Sequence, residues 1–235
     1  MINRFKADLY RIVRTKNFML PILLVVVASV AFSYFSRDSI GHEGSIETLS
    51  SLSTFLPLFF LSACGVFFGE DFTNRTINTV IIKDKSRIKI FFYKTLLTIV
   101  SSLILVGISY LTTVIYRLSS VENAGLDIVD NVLYYQLPYY VCIVMLAIFI
   151  FNYFDRTYQS YLVYIVIVMM FDNLLGYILN SSDSYETFKD LFVFNNLKVV
   201  TGQGEYFTTS VIVALVFAVI YFIAGYYIFK TREFK

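Results

Sequence analysis

The sequence predicts an all-α integral membrane protein with six transmembrane helices, and three observations carry that prediction. The chain of 235 residues is 57% hydrophobic, and its mean hydropathy is +0.69, more apolar surface than one soluble core can enclose. Uncharged runs occupy residues 17–36, 48–69, 95–116, 131–154 and 206–229, and a sixth, 157–182, is broken only by Asp172. Each is long enough to cross a hydrocarbon core of about 30 Å, which takes roughly 20 helical residues. The runs are continuously apolar, whereas a barrel strand alternates over roughly 10 residues, so helices are predicted.

Taken in order, residues 1–17 place Ile2, Phe5, Leu9, Ile12 and Val13 on one helical arc among basic side chains. That pattern predicts an amphipathic elbow helix lying in the membrane interface. The spans are expected at about 18–36, 50–69, 94–116, 132–154, 157–179 and 207–229. Ser29-Val30-Ala31 has the small residues of a signal-peptide cleavage site, but the apolar run continues to Ser36, and a span is predicted. Pro21, Pro57 and Pro138 fall in or beside spans, where they are expected to bend helices. With 19 tyrosines and no tryptophan, tyrosine supplies the interfacial belt, most densely at Tyr134, Tyr135, Tyr139 and Tyr140.

Orientation is read from the basic residues. With both termini cytoplasmic, fifteen of the 19 lysines and arginines lie inside, and only Arg37, Arg117, Lys189 and Lys198 lie outside. The outer loops, near 37–47, 117–130 and 180–207, then carry Asp38, Glu43, Glu47, Glu122, Asp127, Asp130, Asp183, Glu186, Asp190 and Glu205. In the third of them Tyr185, Phe188, Leu191, Phe192 and Val193 predict a segment that dips back to the membrane or packs over the helix tops, about 180–206. No soluble domain boundary and no internal repeat appear, so one membrane domain covers 1–235.

Several chemistries are excluded. No G-x-x-x-x-G-K-[ST] phosphate loop occurs among the ten glycines, so nucleotide hydrolysis is not expected of this chain. His42 is the only histidine, too few for an intramembrane zinc protease or a Ser-His pair. Cys64 and Cys142 lie inside spans and read as small buried hydrophobes. The segregated basic charge is a topology signal, and no nucleic-acid partner is read from it. Asp172 is the clear intramembrane charge. It is expected to line a transport path or hydrogen-bond a neighbouring helix, or else to sit near the outer interface.

The densest polar stretch between spans, "EDFTNRTINTVIIKDKSRIKIFFYK" at 70–94, also holds Phe72, Ile77, Val80, Ile81 and Ile82. A merely solvated loop has no use for those apolar side chains, which a partner should cover. A surface helix over 70–82 and a turn at Lys83-Asp84-Lys85-Ser86 are predicted.

The order Glu70, Thr76, Ile77, Ser86, Arg87, Lys94 between spans two and three resembles the signature of ABC-2 type permeases, with Arg75 and Asp84-Lys85 as departures from it. The likeness extends to the basic elbow, the six spans and the long loop before the last span. It implies a half-transporter: two permeases, identical or paralogous, pair in the lipid membrane above two cytoplasmic ABC ATPase subunits, which hold the ATP and magnesium, while this chain binds no cofactor. It further implies that residues 70–82 form a coupling helix, with Phe72 as apolar anchor and Glu70, Asp71, Asn74, Arg75, Thr76 and Thr79 as contacts to the ATPase. Small permeases of this type expel amphipathic or antimicrobial peptides and other hydrophobic compounds. An ion-coupled secondary transporter and a substrate-capture subunit of a vitamin importer remain as alternatives.

Overall fold

A computed structural model describes residues 16–39, 41–73, 86–121, 129–180, 188–198 and 208–232. The described residues form helices and no strand: α1 (Lys16–Phe35), α2 (Gly41–Thr73), α3 (Arg87–Ser120), α4 (Val129–Tyr153), α5 (Thr157–Asn180), the short α6 (Val193–Lys198) and α7 (Thr209–Thr231). Six of them, all but α6, are long and apolar enough to cross a membrane, so the chain is a multi-pass membrane protein. Helices satisfy their own backbone groups, which is what a medium without water demands.

Two helices run beyond the predicted spans. α2 begins at Gly41, so that the expected loop near 37–47 is helical over much of its length. α3 runs for 34 residues, about 50 Å at ~1.5 Å per residue, and it takes in Arg117, which was expected in a loop. Amphipathic ends explain both differences: a charge count stops at Glu47 and Arg117, but the backbone continues because those side chains find partners. Residues 1–15 of the predicted elbow (1–17) and residues 74–82 of the predicted coupling helix lie outside the described residues, as do parts of the third outer loop.

α3 forms the spine of the bundle. On its buried face Lys94, Thr95, Thr98, Ser101, Ser102, Ser109, Thr113 and Arg117 recur at helical spacing. Small hydroxylated residues let neighbouring backbones approach closely, the packing mode that replaces the hydrophobic effect inside lipid. Ser109 meets Ser29 of α1 at 2.9 Å, and Ser29 also donates to the Val25 carbonyl at 2.8 Å. Lys94 and Arg117 are 23 residues apart (117 − 94), about 35 Å along the helix. They therefore bracket a hydrocarbon core of about 30 Å.

Aromatic side chains close the other interfaces. Phe91 of α3 is fully buried and packs against Phe222, Tyr226 and Phe229 of α7 with ring centroids 5.4–5.7 Å apart. Phe149 of α4 meets Tyr221 of α7 at 6.0 Å. The tyrosine cluster of α4 is divided by helix geometry. Tyr134 faces outward, whereas Tyr139 and Tyr140 are fully buried and Tyr135 nearly so. Tyr140 and Tyr110 both donate to Gln136 Oε1, at 2.9 and 2.5 Å, and Tyr139 donates to Ser210 at 2.8 Å. These tyrosines thus serve as internal ties more than as an interfacial belt.

At the end of the bundle where α1 turns into α2, the fully buried Arg117 guanidinium donates to the carbonyls of Ser36, Ser39 and Gly41 at 3.2–3.5 Å. It fastens the chain between α1 and α2 onto α3. Gly44 makes room for it: a Cβ there would fall 2.0 Å from the Ser39 carbonyl oxygen and 2.6 Å from Arg117 Nη2. Gly44→Ala should therefore lower stability by about 1–3 kcal/mol, the range for overpacking a tight site. Thermal unfolding in detergent checks this, with Gly107→Ala, where an added Cβ meets nothing within 4 Å, as the silent control. Equal melting temperatures for both variants would contradict the packing assigned to Gly44.

Candidate functional site at the α2–α3 junction

The other end of the bundle gathers Thr73, Thr157 and Arg232 with five residues singled out in sequence, Glu70, Asp71, Phe72, Arg87 and Lys94. α2 changes its winding as it reaches this end. Residues Gly65–Gly69 form a π-helical turn between Gly41–Cys64 and Glu70–Thr73. Such turns widen the helix by one residue and often mark functional segments. Lys94 of α3 donates to the Phe67 carbonyl in this turn at 2.7 Å.

Lys94 also makes an ion pair with Asp71, and the two residues are only 6% and 7% exposed. A buried pair gains little net stability, because desolvation offsets the attraction, yet removing one partner strands a charge. Phe72 is half-buried, with the Arg232 guanidinium 4.5 Å above its ring and Phe68 6.2 Å away. Arg232 donates in addition to the Asn152 and Phe154 carbonyls at 3.0 and 3.1 Å and to Asp155 Oδ1 at 3.0 Å. Burial holds this guanidinium below its usual pKa range, and the Asp155 carboxylate opposes that shift. Arg87 donates to the Lys230 and Arg232 carbonyls at 2.5 and 3.3 Å.

The third tie runs to α5. The Thr73 and Thr157 hydroxyls lie 2.9 Å from each other and 2.9 and 3.2 Å from the Gly69 carbonyl, so that one donates to the carbonyl and the other either to its neighbour or to the same carbonyl. Gly65 and Gly69 make this approach possible. A Cβ on Gly65 would lie 2.0 Å from the Tyr161 hydroxyl oxygen, and one on Gly69 2.7 Å from Thr157 Cγ2. Between the helices remains a groove of about 320 Å³ lined by Ser62, Gly65, Val66, Gly69, Glu70, Thr73, Thr157 and Tyr161.

Glu70, Asp71 and Phe72 therefore stand together on the last turn of α2: Glu70 on the groove, Asp71 toward α3, Phe72 under Arg232. Asn74, Arg75, Thr76 and Thr79 lie outside the described residues. Asp172 is far from this cluster in the fold, near the opposite end of α5. It is 5% exposed, and Oδ2 accepts the Asn195 amide at 2.8 Å. A backbone hydrogen bond from Phe194 and attraction to Lys198 add to this. Gln136 Nε2 donates to the Leu197 carbonyl at 2.9 Å and Ser50 to the Lys198 carbonyl at 2.8 Å. Side chains from α2, α4 and α5 thus fasten both ends of α6.

Sequence reasoning missed Arg232, Thr157, Tyr161 and the partnership of Asp71 with Lys94. It also passed over Gly65-Val66-Phe67-Phe68-Gly69, whose G-x-x-x-G spacing is a legible sign of close helix approach in an apolar segment. Among the described residues no group of three or more His, Cys, Asp or Glu side chains could hold a metal ion.

Six apolar helices tied by polar knots at both ends define a multi-pass helical membrane protein. The chain belongs to DUF2705, a family described as "Protein of unknown function", whose profile matches residues 18–234. No curated protein matches the chain.

Two outcomes test these assignments. Lys94→Met leaves the Asp71 carboxylate buried without its cation and should cost about 3–5 kcal/mol, and adding Asp71→Leu should restore most of the loss, as thermal melts of the single and double variants would show. A double variant no more stable than Lys94→Met would rule out the pair as the cause. At the other end, Asp172→Asn should leave α6 nearly in place, while Asp172→Leu should cost about 1–2 kcal/mol, as loss of a helix cap does. Hydrogen exchange at residues 193–198 reads this directly, and unchanged protection in Asp172→Leu would contradict the capping role.

Proposed function

We propose that the chain is the membrane-spanning permease subunit of an ATP-driven exporter of the ABC-2 type, multi-pass in a bacterial cell membrane with both termini cytoplasmic. The observation that carries this reading is the attachment of the last turn of α2 to three other parts of the bundle. Asp71 binds α3 through Lys94, Phe72 meets the end of α7 through Arg232, and Thr73 meets α5 through Thr157. A cytoplasmic partner that moves the segment following Thr73 would pull on all three at once. That is the mechanical property a coupling segment needs.

In this reading the amphipathic stretch through Asn74, Arg75, Thr76 and Thr79 seats in an ABC ATPase, with Glu70 at its edge. Asp71 and Phe72 transmit the motion inside the permease. ATP and magnesium belong to the ATPase, and this chain is not itself an enzyme. Two permease copies or paralogues surround a path for amphipathic or antimicrobial peptides or other hydrophobic compounds, and Asp172 acts on that path through the position of α6. The basic segments at one end of the bundle and the acidic ones at the other support the orientation.

Co-expression with an ABC ATPase encoded beside this chain should give a complex that survives mild detergent and hydrolyses ATP. Arg232→Gln should leave that complex assembled while lowering export several-fold, because it frees Phe72 from α7 without touching the segment the ATPase would hold. Repeated recovery of the chain alone, with the ATPase abundant, would end the reading. So would reaction of a cysteine at position 85 with an impermeant reagent from outside intact cells.

A further inference from the structure

Three spans turn a stripe outward at alternating intervals of three and four residues, the spacing at which a helix returns to one side. α1 does so with Leu20, Leu23, Val27 and Val30, and α7 with Ile212, Val216, Val219 and Ile223, all apolar. α5 does so with Gln159, Leu162, Val166, Met169, Asn173 and Gly176, and it alone sets side-chain amides in the stripe within its span. Asn173 is exposed. Among the described residues only its Nδ2 has a partner, its own Met169 carbonyl one turn back at 3.2 Å. The other side of α5 is committed inside the chain, where Tyr164 donates to the Pro57 carbonyl and Asp172 accepts from Asn195.

We propose that this stripe pairs with the α5 of a second copy of the chain, across a twofold axis along the membrane normal, with Asn173 fixing the register. A polar side chain within a span is answered most directly across a helix–helix interface. An amide carries both a donor and an acceptor, so two copies of Asn173 answer each other, Nδ2 of each to Oδ1 of the other. Such self-matching of one residue is the mark of a twofold interface. Copies inserted in one membrane share one orientation, which makes the two α5 helices parallel. The order of side chains suits that arrangement: written as heptads, Val166 and Asn173 take the a positions and Leu162 and Met169 the d positions. A β-branched residue at a with a long unbranched or γ-branched one at d favours two parallel strands, and a lone polar a residue sets their register. Left-handed pairs of this kind are common between membrane spans. The inference goes beyond the transport reading, which leaves the two permeases identical or paralogous and names no helix between them, and it holds with no ATPase present.

The test uses the full-length chain without an ATPase, fused to donor or acceptor fluorescent proteins and diluted stepwise with lipid in liposomes. Energy transfer should follow a monomer–dimer curve. Asn173→Leu should weaken the dimer about three- to ten-fold, the order of one hydrogen bond between spans, and Asn173→Gln should retain part of it. In a Cys64→Ala, Cys142→Ala background, mild oxidation should join Leu162→Cys, Val166→Cys and Met169→Cys each to its own copy, because facing a and d positions of a parallel pair lie within disulfide reach. Val27→Cys and Val216→Cys, on the stripes of α1 and α7, should remain single. Melting temperatures confirm that each variant is folded. Transfer absent at every dilution, a dimer unmoved by Asn173→Leu, or disulfides as frequent on α1 or α7 would overturn the pairing. Cell membranes carrying the Val166→Cys variant read the other occupants: a disulfide to a chain of different mass assigns the face to another protein, and a monomer whose cysteine is sealed from a membrane-permeant maleimide assigns it to another segment of this chain. Either result would overturn the proposal while leaving recovery of an ATPase complex as a separate question.

Discussion

A charge inside a membrane protein has to be answered by another group, and the fold is organised around how two such charges on α3 are answered. Lys94 has both an anion and a carbonyl, Asp71 and Phe67, and both come from the last turns of α2. Arg117 has the carbonyls of Ser36, Ser39 and Gly41, all from the connection between α1 and α2. Desolvating each cation costs several kcal/mol, and only a complete set of acceptors offsets that. This requirement shapes both ends of α2: a π turn presents Phe67 at one, and a glycine at 44 admits the guanidinium at the other. Between them, the buried face of α3 sets small hydroxylated residues beside Leu97, Leu105, Val106 and Tyr110. On that stripe the hydroxyls of Thr95 and Ser102 are buried without a hydrogen-bond partner among the described residues, so it contributes close approach more than bond energy.

The six spans could be read from the chain because hydropathy over about 20 residues is a sum, insensitive to which residue faces where. The knots could not, because they depend on helix register between segments distant in sequence. Asp71 and Lys94 both stand in the polar stretch that the sequence makes conspicuous, but nothing in one dimension says that they face each other. Arg117 looked like a loop residue because a charge ended the apolar run, and the carbonyls that hold it come from 76 to 81 residues earlier. Tyr139 and Tyr140 looked like interfacial residues for a similar reason: composition records tyrosine, while helical phase decides whether its hydroxyl meets headgroups or a buried partner, Ser210 for Tyr139 and Gln136 for Tyr140. Phe72 and Asp71 were legible as unusual but not as inward-facing. Arg232 carried no local signal, being one more basic residue after the final span. G-V-F-F-G at 65–69 was the one site feature fully written in the sequence and overlooked.

The two ends of the bundle differ in what they restrain. At the α6 end, Ser50, Gln136 and Asp172 hold backbone groups of a six-residue helix that is itself too short to persist alone. Phe192, Phe194 and Leu197 are buried beneath it, so polar ties and apolar packing act on the same segment and release together. At the Arg232 end the ties join long helices that would stand without them. Losing one there changes the angle between helices before it changes whether they fold.

That distinction bears most directly on α5. Two thirds of the α2 window is buried in the chain (67%), but only 11% of the α5 window is. Apolar contact alone therefore sets little of α5's position. Its position is set instead by discrete points along its length: Thr157 on Gly69 and Thr73, Tyr164 donating to the Pro57 carbonyl at 2.8 Å, and Asp172 on Asn195. A face with so few contacts inside the chain does little to fix the helix along its axis, whereas each polar point costs about a hydrogen bond to break. Of these points Thr157 lies at the first turn of α5 and is tied to Thr73, in the last turn of α2. α2, buried over most of its length, is thus the wall of the groove, and α5 is held against it by these few polar points rather than by a packed interface.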